Sequence, residues 1–235
     1  MADTVFISGA NRGVGLALAE QFLKAGFHVF AGNRNTSAEF SALSEKYSKT
    51  LTVIPLDVTD MESVSHAAKL VADKLDGLDI LINNAAIYPE HNRTSLEETD
   101  LSMEYLGKTM DTNAFGPLRM AQQFLPLLDK GQRKLLINIS SEAGSIGDCW
   151  RDREFSYCMS KAALNMQSKI LHKYLSPRGI KVLAVHPGWV RTDMGGKDAD
   201  ISPEESAEGI FKLATKKWSA DDAMYVDYRG KPMKW

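Results

Sequence analysis

Short apolar runs alternate along the chain with longer stretches in which apolar residues recur at helical spacing. Thr4–Ser8 reads as a first strand, and Val14–Ala25 as a helix closed by Gly26, a residue suited to a left-handed C-cap. Phe27–Ala31 is the second strand, followed by a helix near Ala38–Tyr47. Leu51–Pro55 forms the third strand, and Asp60 is placed to cap a helix running to Leu75. Leu78–Ile82 is the fourth strand. A long helical region covers Leu101–Leu128, with Gly116-Pro117 expected to bend or divide it. Lys134–Ser140, Ile180–Val185 and Met224–Asp227 complete the strands, separated by helices at Tyr157–Leu175 and Pro203–Lys216.

The strands are apolar almost throughout, which implies burial on both faces and so a parallel sheet between helical layers. Right-handed crossovers then favour an α/β, Rossmann-type doubly wound parallel sheet in three layers, as a single domain. Ligands of such sheets sit beyond the carboxyl ends of the strands. The residues at those ends therefore hold the functional information.

Composition narrows the classes. A chain of 235 residues with 44% hydrophobic and 25% charged residues has ordinary globular proportions, which excludes disordered and fibrous classes. A formal net charge of −2 provides no general field for nucleic acid or an anionic membrane. Two cysteines, Cys149 and Cys158, are too few for a disulfide framework, so reduced thiols are expected. The first residues lack a signal-peptide pattern, and no apolar run approaches the ~20 residues of a membrane helix. A cytoplasmic location is the expectation. His28, His66, His91, His172 and His186 are scattered without ligand spacing, and no metal is expected.

Directly after the first strand comes Ser8-Gly9-Ala10-Asn11-Arg12-Gly13-Val14-Gly15, and then a helix. Glycines there permit a tight turn and close approach of a pyrophosphate to the backbone, while the helix N-terminus offers amide donors. The second strand ends in Gly32-Asn33-Arg34-Asn35, with no carboxylate to receive a ribose 2′-hydroxyl. Arg34, with Arg12 from the glycine loop, suits a 2′-phosphate instead, which predicts NADP over NAD. Asp57-Val58 after the third strand could bracket an adenine, and Asn84-Ala85-Ala86 after the fourth lets a dinucleotide lie close.

Tyr157 and Lys161 stand four apart on a helix and share a face. They follow Ile137-Asn138-Ile139-Ser140-Ser141, a strand ending in two hydroxyls, of which alternation lets only one face the cleft. The strand beyond them ends in His186-Pro187-Gly188-Trp189-Val190-Arg191-Thr192-Asp193, and Asn113 lies near the Gly116-Pro117 bend. No Gly-x-Ser-x-Gly elbow surrounds Ser141, which argues against a serine hydrolase.

In this order the motifs resemble those of the short-chain dehydrogenase/reductase family over essentially the whole chain. Ser8 stands where the family usually has threonine, and Ala86 where it has glycine. The His186–Gly196 segment and the tail Tyr225–Trp235 are similar to the sniffer and C-factor-like carbonyl reductases within it. The resemblance implies a cofactor half over about residues 1–115 and a catalytic and substrate half over about 116–235. It also implies a tetrad of Asn113, Ser141, Tyr157 and Lys161, with Tyr157 as general acid/base. Gly9, Asn11, Arg12, Gly13, Val14, Gly15, Pro187, Gly188, Val190 and Thr192 would join the residues above around NADP, with Tyr157 and Lys161 at its nicotinamide end. Lys161 would lower the phenol pKa, Ser141 would polarise the carbonyl oxygen, and Asn113 would hold a water beside Lys161.

The reaction implied is hydride transfer between nicotinamide and an aldehyde, ketone or quinone, with a small molecule as partner, no nucleic acid or membrane, and a homodimer or homotetramer as assembly. The alternative is an NADP-binding signalling module with little turnover. Arg93–Thr99, Cys149–Phe155 and Met194–Asp200 are expected to wall the substrate.

Overall fold

The computed structural model describes residues 2–89, 95–219 and 222–235. Its strands are β1 (Thr4–Ser8), β2 (His28–Asn33), β3 (Leu51–Pro55), β4 (Ile80–Asn83), β5 (Leu135–Ile139), β6 (Lys181–His186) and β7 (Tyr225–Asp227). All neighbours pair in parallel, in the order β3-β2-β1-β4-β5-β6-β7. The chain order reverses between β1 and β4, which opens a crevice at their carboxyl ends.

Residue alternation on the strands sorts the helices into two layers. Val5 and Ile7 of β1 face a core with α1 (Gly13–Lys24), α2 (Ala38–Lys46) and α7 (Pro203–Thr215). Phe6 points the other way, against Phe124 at 4.5 Å between ring centroids, into the core shared with α3 (Met61–Ala72) and α5 (Gly116–Leu128). Leu175 of α6 (Phe155–Leu175) closes the same side. The three-layer, doubly wound sheet read from the sequence is the fold.

Element ends differ from the sequence reading where a local bond overrides the apolar pattern. Gly26 takes φ +84° and ends α1 with paired bonds, Gly26 N–H to Leu23 O and Phe27 N–H to Phe22 O. Phe27 is thereby spent on the cap, and β2 starts at His28. Leu78 and Asp79 precede β4 because the Asp79 carboxylate is engaged, accepting from Thr4 N–H (2.8 Å) and Gln132 N–H (2.7 Å).

The 101–128 region divides at Gly116-Pro117 as expected, where a π turn ending at Phe115 gives way to α5. Its irregularity lies upstream, in π turns at Met103–Gly107 and Asp111–Phe115 around the short α4 (Lys108–Met110). Proline offers no N–H to the Asn113 carbonyl four residues back, and its ring would crowd that carbonyl in a regular helix. Widening the turn relieves the clash. With its amide oxygen facing Leu118, Gln167 of α6 bridges the widened turn to Ala114 O (2.8 Å) and Leu118 N–H (3.1 Å).

After β7 the chain reverses. Asp227 N–H donates to Lys231 O and Met233 N–H to Tyr225 O, both at 2.9 Å. The Trp235 ring stacks on Tyr225 at 5.2 Å, and Trp235 O accepts from Gly147 N–H at 2.7 Å. Ser145 Oγ donates to Lys234 O (2.7 Å), while Lys234 pairs with Asp148 (2.8 Å). The tail straps down the segment that follows β5.

Candidate active site

The crevice is assembled from the ends of β1, β4, β5 and β6. Ser8 Oγ accepts from the N–H groups of Asn84 (3.1 Å) and Ala85 (3.2 Å), and Asn84 Nδ2 returns bonds to Ser8 O and Gly9 O, each at 3.0 Å. A serine at this position thus serves the oxygen role that a threonine would. Two glycines answer to that same packing. A Cβ at Gly9, whose φ is +69°, would lie 2.9 Å from Ala85 Cα, and one at Gly15 would lie 2.1 Å from Gly9 O. Gly13 (φ +54°) starts α1 beneath the Thr192 methyl. Arg12 is the N-cap residue but makes no side-chain cap bond, and Asn11 O accepts from Ser37 Oγ at 2.8 Å.

Arg12 and Arg34 line one cleft of about 730 Å³, together with Ala86, Tyr105, Lys108 and Asp193. Each arginine already has a carboxylate: Arg12 pairs with Asp193 at 2.8 Å and Arg34 with Asp57 at 3.5 Å. Burial pushes the Asp57 carboxyl up, but bonds from Thr59 N–H (2.9 Å) and Oγ1 (2.7 Å), with Arg34, outweigh it and hold the pKa below the usual value. Asp57 thus shapes the turn into α3 and faces Arg34. Val58 is buried against Gly116, its carbonyl accepting from Arg119 (3.3 Å).

A second cleft, of about 1010 Å³, adjoins it and is lined by Val14, Ser141, Tyr157, Pro187, Gly188, Val190 and Thr192, among others. Gly188, at φ +86°, leaves no room for a Cβ beside Ile201. Pro187 O accepts from Ser206 Oγ (2.6 Å), which fixes this segment to the start of α7.

The two strand-end serines divide as alternation requires. Ser140 Oγ donates to Asn165 Oδ1 at 2.6 Å in the interior, whereas Ser141 lines the cleft and hydrogen-bonds the Tyr157 phenol. Ser141 Oγ also accepts from Ala143 N–H (3.1 Å), and Tyr225 Oη donates to Ser141 O (2.6 Å). Burial pushes Tyr157 up to about 12, opposed by the Ser141 bond and the Arg151 charge. Lys161 is 2% exposed, and burial pulls its pKa down to about 8. Its Nζ donates to Ile139 O (2.9 Å) and stands 5.7 Å from the Tyr157 ring centroid.

Asn113 is buried with its side chain engaged: Oδ1 accepts from Ile87 N–H (2.8 Å), and Nδ2 donates to Ile87 O (2.9 Å) and Ser160 Oγ (3.0 Å). It ties the segment after β4 to α6. Pro117 leaves its main-chain carbonyl without the usual helical donor. Asn83 begins a buried column through Asn138 (2.9 Å) and Ser168 (2.8 Å) behind the site.

Sequence reasoning placed Arg151 in the substrate wall but missed its ion pairs and its action on Tyr157. Arg151 lies between Glu142 and Glu154 on the cleft wall, and its charge acts on Tyr157. Tyr88 was missed too; its ring meets Tyr157 edge-on at 4.9 Å. The only signal was an unusual density of charge between Ser141 and Tyr157. Of the expected substrate walls, Trp150, Arg151, Glu154, Met194, Gly195, Gly196 and Asp200 line the cleft, whereas 95–99 does not. Arg93 and Thr94 lie outside the described residues, as does His91. His186 packs at the strand end with Nδ1 accepting from Glu142 N–H (3.2 Å), its pKa lowered chiefly by burial. Cys149 and Cys158 form no disulfide. Among the described residues no group of His, Cys, Asp and Glu is arranged to hold a metal, and no helix is long and apolar enough to cross a membrane.

The arrangement has known counterparts. The NADPH-bound carbonyl reductase from chicken fatty liver superposes with a TM-score of 0.89 at 35% identity, covering 100% of this chain and 99% of that one. Carbonyl reductase Sniffer of D. melanogaster gives 0.91 at 30% identity, with 100% of both chains covered. The C-signal protein of Myxococcus xanthus is 32% identical over 158 residues, spanning 67% of this chain and 93% of its own length. The sequence profile described as short chain dehydrogenase matches residues 3–202. By fold, site and sequence alike, the chain belongs to the short-chain dehydrogenase family of oxidoreductases.

Proposed function

We propose that this chain is an NADP(H)-dependent carbonyl oxidoreductase in which Tyr157 exchanges the proton. The observation that carries this reading is the Ser141–Tyr157 hydrogen bond in the large cleft, with Lys161 one helical turn further on. The chain fits a dinucleotide by its own packing. Gly9, Gly13 and Gly15 keep the β1–α1 turn free of side chains, with Asn11, Arg12 and Val14 around it. Asn84, Ala85 and Ala86 flank that turn, and Asp57 and Val58 lie at the end of β3. Pro187, Gly188, Val190 and Thr192 would hold the nicotinamide end beside Tyr157 and Lys161. Arg12 and Arg34 share a cleft and would receive a 2′-phosphate, exchanging their present carboxylates for it. The NADPH-bound carbonyl reductase of chicken, similar over its whole length, supports the same choice.

When bound, NADPH supplies the hydride for the carbonyl carbon. Ser141 would hold the substrate oxygen, and Tyr157 would protonate it as negative charge develops. Lys161 would bind the nicotinamide ribose and favour phenolate, and the Asn113 carbonyl would anchor a water that returns the proton. Loss of NADPH absorbance in the presence of aldehydes, ketones and quinones tests the reaction, run with NADPH and NADH on wild type and Arg34→Asp. Wild type should prefer NADPH and the variant should lose that preference. Tight NADPH binding without carbonyl-dependent oxidation would instead fit a signalling protein.

The assembly this reading expects is a homodimer. Met159, Met166, Ile170 and Tyr174 recur along one exposed face of α6, and Phe115 and Leu118 are exposed nearby. Light scattering of the full chain reads the assembly directly, and a monomer at working concentration would refute it. Two cysteines outside any disulfide suit the reducing cytoplasm.

A further inference from the structure

Arg151 reaches two carboxylates that belong to separate stretches of backbone. Its Nη2 donates to Glu142 Oε1 (2.5 Å), its Nε reaches Glu142 Oε2 (3.5 Å), and its Nη1 donates to Glu154 Oε2. Glu142 directly follows Ser141, and Glu154 is the N-cap residue of α6, three positions before Tyr157. One planar fork thus spans the two pieces of chain whose hydroxyls meet in the cleft.

Two further features set this group apart from an ordinary surface pair. Glu154 is 4% exposed and takes φ +64°, a left-handed conformation that a side-chain-bearing residue holds only when its surroundings enforce it. Arg151 is itself 17% exposed at the side chain, with the Trp150 ring 4.7 Å from its Cζ. Buried ion pairs contribute little net stability, because desolvation offsets attraction. Their directional bonds do fix geometry, and a fork fixes it in two directions.

We propose that Arg151 is a positioning residue for carbonyl reduction: the Glu142–Arg151–Glu154 clamp sets the spacing of the Ser141 and Tyr157 hydroxyls and keeps a cation turned toward the phenol. The inference rests on Tyr157 being the proton donor proposed above. Glu142 and Arg151 face Tyr157 from the β5–α6 segment, and Cys158 and Lys161 stand on its own helix. Glu154, His186, Asp227 and Arg229 line the same cleft.

The test uses Arg151→Met, Arg151→Lys and the double variant Arg151→Met/Glu154→Gln in the full chain. The double variant removes the more buried of the two carboxylates that methionine would leave without the guanidinium, and it bears the same expectation if Arg151→Met fails to fold. In the methionine variants kcat for reduction should fall about 10²-fold, as for a displacement near 1 Å, with KM for NADPH unchanged. The alkaline limb of the kcat profile should move to higher pH, because removing a cation makes the phenol harder to ionise. Lysine keeps the charge without the fork, so it should restore the limb but only part of kcat.

Crystal structures of the variants should show Ser141 Oγ and Tyr157 Oη beyond hydrogen-bond reach. Wild-type kcat in a folded methionine variant overturns the proposal, and so does a kcat loss with that contact intact. Should wild type reduce no carbonyl at all, the proposed function fails, while the hydroxyl contact still decides the clamp.

Discussion

Replacing Tyr157 with phenylalanine should lower carbonyl reduction by about 10²–10⁴-fold while NADPH still binds. The ring and its edge-on contact with Tyr88 survive the change, so only the proton donor and its bond to Ser141 are lost. Burial is the chief reason that the phenol is pushed up to about 12, so the acid form needed for reduction persists through neutral pH and well above it. Reduction in wild type should therefore be level with pH across the neutral range. Alcohol oxidation needs phenolate and should climb as pH rises toward that value. Steady-state rates in both directions, with cofactor binding followed by fluorescence, check both statements. Near-normal turnover by the phenylalanine variant would end the assignment.

Lys161→Met should move activity and stability in opposite directions. Activity should fall on the order of 10²-fold, the cost of losing one preorganised electrostatic group. Stability at neutral pH should rise, because burial pulls the folded-state pKa from 10.5 down to about 8. Below about 8 the ammonium is charged in both folded and unfolded chains, and burying it costs the fold on the order of 3 kcal/mol. Between about 8 and 10.5 the unfolded chain binds more protons, so wild-type stability rises with pH and the cost disappears above that window. Methionine keeps the buried stem and has nothing to ionise. It leaves the Ile139 carbonyl without this donor, a loss of about 1 kcal/mol that subtracts from the gain. Thermal melts of both proteins at pH values below 8 and above 10.5 should show the variant's advantage only in the first condition. A variant less stable throughout would show that the charge is better accommodated than its burial implies.

Strand positions were legible because alternation and apolar runs are local properties. Val5, Phe6 and Ile7 already specify opposite layers before any helix is placed. The boundaries that shifted were set by bonds reaching across the chain, as at Asp79, which binds Thr4 and Gln132. The π turns before Pro117 were not legible as such, although the proline that follows the second of them was visible. In the site, alternation allowed only one of Ser140 and Ser141 to face the cleft, and the family resemblance pointed to Ser141. The pairing of Arg151 was not legible, because a guanidinium in a charged loop looks the same in sequence whether it is solvated or held between two carboxylates. The pairing of Arg34 with Asp57 was hidden for a similar reason, since the two ends of neighbouring strands carry no sign of facing each other.

The strap formed after β7 has a consequence for synthesis. Ser141 precedes by 84 residues the tyrosine whose hydroxyl takes hold of its carbonyl. At roughly 5–20 residues per second, a ribosome needs on the order of ten seconds to cover that interval. Through that time the nascent chain presents its β5 end without the brace, so the cleft wall is completed only once Tyr225 emerges. Competence would then wait on synthesis of β7, and fragments that stop short of Tyr225 would lack a finished reaction chamber.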